Sequence, residues 1–116
     1  LLHVESFERQ PRLLTRLSFS TKIIDLMYSC RCIVAVCWKE SSPYRYLHNN
    51  DIAFCISAEN EIEEKLTFLL NHPSIINEYA QKAWYYGAEH HQIKQVQKNI
   101  YDDFIYVLNS QMQYEI

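Results

Sequence analysis

Residues 18–38, SFSTKIIDLMYSCRCIVAVCW, constrain the fold more than any other stretch. The second half, Arg31-Cys32-Ile33-Val34-Ala35-Val36-Cys37-Trp38, is a short, nearly continuous apolar run. Such a run suits a strand of a parallel sheet that is covered on both faces. The first half predicts a helix over residues 20–29. Ser18, Ser20 and Thr21 offer capping oxygens ahead of the apolar set Ile23, Ile24 and Met27. A helix feeding such a strand is half of a βαβ unit. Its start, Ser20-Thr21-Lys22, groups hydroxyls, free backbone N–H groups and a cation, a chemistry that suits a phosphate. Lys22 opposes the helix dipole unless an anion accompanies it, whether a ligand or a nearby carboxylate. Asp25 lies three residues on and shares its polar face.

Totals narrow the function. A chain of 116 residues, 48% hydrophobic, makes one domain or part of one. The net charge of −3 gives no global electrostatic case for nucleic acid or an anionic membrane, which leaves only local basic patches. No apolar run approaches the roughly 20 residues of a membrane span, and the N-terminus lacks a signal-peptide plan. The opening Leu1-Leu2-His3-Val4 reads as the end of a strand, so the expectation is a piece of a larger protein. Gly87 is the single glycine. A G-x-G-x-x-G loop or a P-loop is therefore impossible, and a phosphate would rest on a helix start and side chains. Cys30, Cys32, Cys37 and Cys55 do not follow zinc-ligand spacing and read as reduced, mostly buried thiols. His90 and His91 are adjacent, so on a helix they diverge and make no i, i+4 metal pair. No metal or cofactor is expected.

Taken in order, residues 1–4 predict a strand end, which puts Glu5 where ligands of open α/β sheets bind. Residues 8–17 read as an irregular connection because of Pro11, with Arg9, Arg12 and Arg16 either solvated or reaching a phosphate. A short helix over residues 44–48 opens at Pro43, and a buried strand covers residues 52–56. The rest is helical. Residues 59–71 carry the stripe Ile62, Leu66, Leu69 and Leu70 behind an acidic first half. A second helix starts at Pro73 and turns Ile76, Tyr79, Ala80, Ala83 and Trp84 inward, with Gly87 as a kink or end. The last helix, residues 91–109, offers Ile93, Val96, Ile100, Phe104, Val107 and Leu108 as a buried stripe. The fold class is thus α/β, a partial doubly wound parallel sheet followed by C-terminal helices. Residues 1–57 would form a βαβ(α)β part and residues 58–116 a helical part.

At these residues the chain resembles the C-terminal nucleotide-sugar-binding domain of retaining, GT-B-fold, group-one glycosyltransferases of capsule and lipopolysaccharide synthesis. HVESF followed by LSFSTKIIDLMYSCRCIVAV is similar to that family's carboxylate, helix-start and strand segment. SSPYRYLHNNDIAFCIS and EIEEKLTFLLNHPSIINEYAQKAW resemble the stretches that follow it. The likeness implies transfer of a sugar from a nucleotide-sugar donor to a glycan or lipid-linked acceptor, without a cofactor. It places Glu5 as the catalytic carboxylate near the donor sugar. Ser20, Thr21 and Lys22 would lie near the diphosphate, and Asp25 on the ribose hydroxyls. It implies a cytoplasmic enzyme, reaching the inner membrane face through an N-terminal acceptor domain absent here. The fragment alone is expected to be inactive. Three departures stand out: a lengthened loop between the two carboxylates, Asp25 where Glu is usual, and Cys30 and Cys32 for Gly and Pro. Cys30 is expected to adopt the left-handed conformation that Gly takes easily. The alternative function is a non-enzymatic α/β or helical interaction module, which would need an exposed apolar patch.

Overall fold

The structure is a computed structural model that describes residues 1–112. The elements are β1 (Leu2–Val4), α1 (Arg9–Thr15), α2 (Lys22–Tyr28), β2 (Val34–Val36), α3 (Ser42–Asn49) and β3 (Phe54–Ile56). A 3-10 turn (Glu59–Glu61), α4 (Ile62–Leu70), α5 (Pro73–His90) and α6 (Ile93–Met112) follow. The three strands pair in parallel in the order β1-β2-β3, with Leu2 opposite Val34 and Val34 opposite Phe54. Parallel neighbours need a crossover. The segment carrying α1 and α2 supplies the first, and α3 the second.

β2 is central and buried on both faces, as its composition requires. Its side chains alternate. Ile33, Ala35 and Cys37 join Ile23 and Met27 of α2, Leu47 of α3 and Ala83 of α5 in one core. Cys32, Val34 and Val36 join Ile56 and Leu69 in a second core on the other face. The regular ladder is shorter than residues 31–38 because each partner strand is only three residues long. Single bonds prolong it, from Val34 N–H to the Leu1 carbonyl (2.8 Å) and from Cys37 N–H to the Ile56 carbonyl (3.1 Å). α5 serves both cores, with Ile75, Ile76 and Tyr79 on the second and Ala83 on the first.

Several expectations are corrected. Residues 9–15 are helical despite Pro11. Pro11 sits in the first turn, where its missing N–H would have had no intrahelical partner. Gly87 does not end its helix: α5 runs on to His90, and Gly87 is buried with no positive φ. Leu70 and Trp84, expected inside, are exposed. The stripe Ile93, Val96, Ile100, Phe104, Val107 and Leu108 is exposed along its whole length, because α6 has no extensive packing against another element among the described residues. The free helix helps stretch the molecule to 66 Å in its longest dimension. Cys30 does adopt the left-handed conformation, at φ 56°. No helix among the described residues is long and apolar enough to cross a membrane.

Candidate functional site

Glu5 N–H donates to the Val36 carbonyl (2.9 Å), which fixes Glu5 one residue beyond β1 at the carboxyl edge of the sheet. His3 lies two residues earlier and therefore shares its face. His3 Nε2 is 3.4 Å from Glu5 Oε1, and the two side chains are only 11% and 15% exposed. That contact is an ion pair when His3 is protonated, without hydrogen-bond geometry. Glu5 Oε2 is buried and has no hydrogen-bond partner. Glu5 lines a cavity of about 330 Å³ with Ser6, Phe7, Glu8, Glu59 and Ile62.

The end of β2 adds further polar atoms held out of water. The Trp38 indole N–H is buried without a partner, and so is Arg12 Nε. The Arg12 guanidinium carbon stands 5.2 Å from the centre of the Trp38 ring, a cation–π distance. Burial pushes the Cys37 thiol up to about 11, with Ser41 hydrogen bonding acting downward and the Glu5 charge adding to the rise. Ser41 itself is fully buried, and its hydroxyl accepts from Tyr44 N–H (3.3 Å) to cap α3. Pro43 follows in the first turn of that helix. Buried polar groups ordinarily find partners, so four orphaned atoms, on His3, Glu5, Arg12 and Trp38, mark this edge as chemically unfinished.

The residues expected at the helix start are placed less tightly. A crossover helix runs against the strands it joins, so the start of α2 faces the edge where β1 ends. The Ser20 carbonyl accepts from Ile23 N–H (3.1 Å), while the Thr21 side chain caps nothing. Lys22 and Asp25 are both exposed and, among the described residues, neither forms an ion pair. None of Ser20, Thr21, Lys22 and Asp25 lines the Glu5 cavity. Glu5 is thus set in a pocket, and the other four lie outside it. His3, Trp38 and Ser41 were not singled out from the sequence. The two-residue spacing of His3 and Glu5 in a strand was the available signal for the first. Among the described residues no group of three or more His, Cys, Asp or Glu is placed to hold a metal ion. No protein-family model, curated protein or solved structure matches the chain.

Proposed function

We propose that the chain is the donor-binding part of a glycosyltransferase, a partial doubly wound domain that holds a nucleoside-diphosphate sugar. The observation that carries this reading is Glu5, whose carboxylate lines a cavity at the carboxyl edge of a parallel sheet with one oxygen unpartnered. Ligands of open α/β sheets occupy that edge. A carboxylate there accepts hydrogen bonds from sugar hydroxyls or faces the positive charge that develops on a sugar as its bond to the diphosphate breaks. Lys22 and the N–H groups at the start of α2 would take the diphosphate, and Asp25 the ribose. Both face solvent, so in this reading the donor lies across the rim and reaches Glu5 with its sugar end. The acceptor, a glycan or lipid-linked glycan, would be bound elsewhere in a longer protein.

Calorimetry with nucleoside-diphosphate sugars tests the reading. Binding is expected, and Glu5→Gln should weaken the sugar-bearing donor more than the bare nucleoside diphosphate. Lys22→Ala should weaken both. Equal affinity in all three proteins would remove the proposal. A second reading, an interaction module, is favoured by one observation, the wholly exposed apolar stripe of α6. Donor binding that is lost in Glu5→Gln separates the two.

A further inference from the structure

We infer that His3 is the positioning residue of Glu5: its Nε2–H holds the Glu5 Oε1 oxygen and leaves Oε2 for a hydroxyl of the donor sugar. The inference rests on the reading of Glu5 as the carboxylate that meets that sugar. It starts from β1, whose polarity is inverted. Leu2 and Val4 are 64% and 63% exposed, while His3 and Glu5 share the other face and turn inward. A polar pair buried in a strand whose apolar residues face water is the informative departure, because burial of apolar surface alone favours the opposite register. The register holds all the same, with His3 opposite Ala35 and Glu5 N–H on the Val36 carbonyl.

A carboxylate taken out of water needs a cation or hydrogen-bond donors. No lysine or arginine lines the Glu5 cavity, whose other ionisable residues, Glu8 and Glu59, are acids. Cys37, just past β2, is a buried thiol that the Glu5 charge makes harder to ionise. Among the described residues His3 is the one ion-pair partner of Glu5. Its Nε2, the atom 3.4 Å from Glu5 Oε1, is buried without a hydrogen-bond partner, and His3 is not part of the cavity wall. His3 therefore acts on a ligand through Glu5 and not by contact. The role requires a proton on Nε2, since a bare ring nitrogen would turn its lone pair on the carboxylate. Drawn slightly closer, that N–H donates to Oε1. The bond fixes the plane of the carboxylate, whose rotation is otherwise broad, and spares Oε2.

Calorimetry and imidazole NMR on the 116-residue chain test this role. The donor is the tightest binder among UDP-glucose, UDP-galactose, UDP-N-acetylglucosamine and GDP-mannose, and the control is its bare nucleoside diphosphate. His3→Phe keeps a ring and removes the N–H. It should weaken the sugar donor about tenfold and the bare diphosphate less than about twofold. His3→Gln returns an N–H at similar reach and should recover most of the loss. In a Glu5→Gln background His3→Phe should change nothing further. A merely structural His3 would shift both ligands together and would not separate Gln from Phe. Without any ligand, proton–nitrogen correlation spectra should show the proton on His3 Nε2 in the wild type and a changed tautomer balance in Glu5→Gln. The spectra need no His3 variant, so they decide even where His3→Phe does not fold. Donor binding that needs Glu5 but ignores His3→Phe would overturn the inference and leave the donor reading standing. A wild type that binds no donor would remove the donor reading. The His3–Glu5 pair then stands or falls on the spectra: an Nε2 without its proton, or a tautomer indifferent to Glu5, overturns it.

Discussion

Gly87 lies so close to Met27 that a Cβ built on it would sit 2.9 Å from the Met27 Cβ. This approach sets the distance between α5 and α2, two of the three helices that cover the first core. It also accounts for a glycine inside a helix, where the residue costs about 1 kcal/mol against alanine. Tyr28 reinforces the joint, its hydroxyl donating to the carbonyls of Gly87 (3.0 Å) and His91 (2.8 Å). Gly87→Ala gains helix propensity but forces the helices apart, and the net expectation is a loss of about 1–3 kcal/mol in urea unfolding. Met27→Ala should rescue little of that loss, because the clash is with a Cβ that alanine keeps.

The same pair shows how far the sequence could be read. The apolar run around β2 announced a doubly covered parallel strand, because its pattern depends only on local composition and burial. Glu5 followed from the end of β1, since sheet chemistry alone puts ligands at that edge. The role of Gly87 was not legible, because a close approach between residues 60 positions apart leaves no local trace. Pro11 misled for the opposite reason. Its meaning depends on whether it falls in the first turn of a helix or later, and that is decided by where Glu8 begins the turn. The stripe on α6 has the periodicity of a buried helix, yet periodicity reports only that a face wants a partner. His3, Trp38 and the orphaned atoms at the site arise from packing between β1, β2 and α1, which no single segment encodes.

Cys30 occupies the left-handed region at φ 56°, where an L-residue with a Cβ is strained. Cys30→Gly removes that strain at an exposed position and should stabilise the protein by about 1 kcal/mol, read as a higher urea midpoint. The same substitution simplifies thiol chemistry. Cys30 is the exposed thiol, whereas burial pushes Cys37 up to about 11 and Cys55 up to about 12 and raises Cys32 as well. A disulfide reagent should therefore modify one thiol quickly in the native protein and the others at the rate of opening. In Cys30→Gly the fast phase should vanish.

Asp51 ties the turn before β3 to α5. Lys82 Nζ stands 2.6 Å from Asp51 Oδ2 and 2.7 Å from Glu78 Oε1, and the Tyr79 hydroxyl donates to Asp51 Oδ1 (3.2 Å). The hydrogen bond from Lys82, first among its causes, lowers the Asp51 pKa. Hydrogen bonds to Asp51 and then Glu78 raise that of Lys82. The signs give two limbs. Asp51 contributes stability that is present above the ordinary aspartate range and is lost as pH falls through and below it. Lys82 contributes stability that is present below the ordinary lysine value and is lost as pH rises beyond it. Asp51 is well exposed and Lys82 partly so, and solvent screening holds the pair to under about 1 kcal/mol. Urea midpoints measured against pH should show a shallower acid limb in Lys82→Met than in wild type. Asp51→Asn should cost less than Asp51→Ala, because Asp51 sits at φ 52°, which asparagine tolerates better than alanine.

α6 carries 20 residues and, among those described, none that is buried. An isolated helix of that length is marginal in water unless its sequence is rich in alanine, and this one is not. Its amides should therefore exchange with little protection, while those of Val34, Ala35 and Val36 exchange only on global opening. The joint that precedes it is anchored independently, by Tyr28 on the His91 carbonyl and by the Tyr46 hydroxyl on His91 Nε2. Truncation after Gln92 keeps both contacts and, among the described residues, removes no core side chain. Its urea midpoint should match that of the full chain within about 0.5 kcal/mol. A clear loss of stability on truncation would mean that the stripe from Ile93 to Leu108 is already covered in solution, and a lower apparent mass of the truncated chain in sedimentation would identify the cover as a second copy.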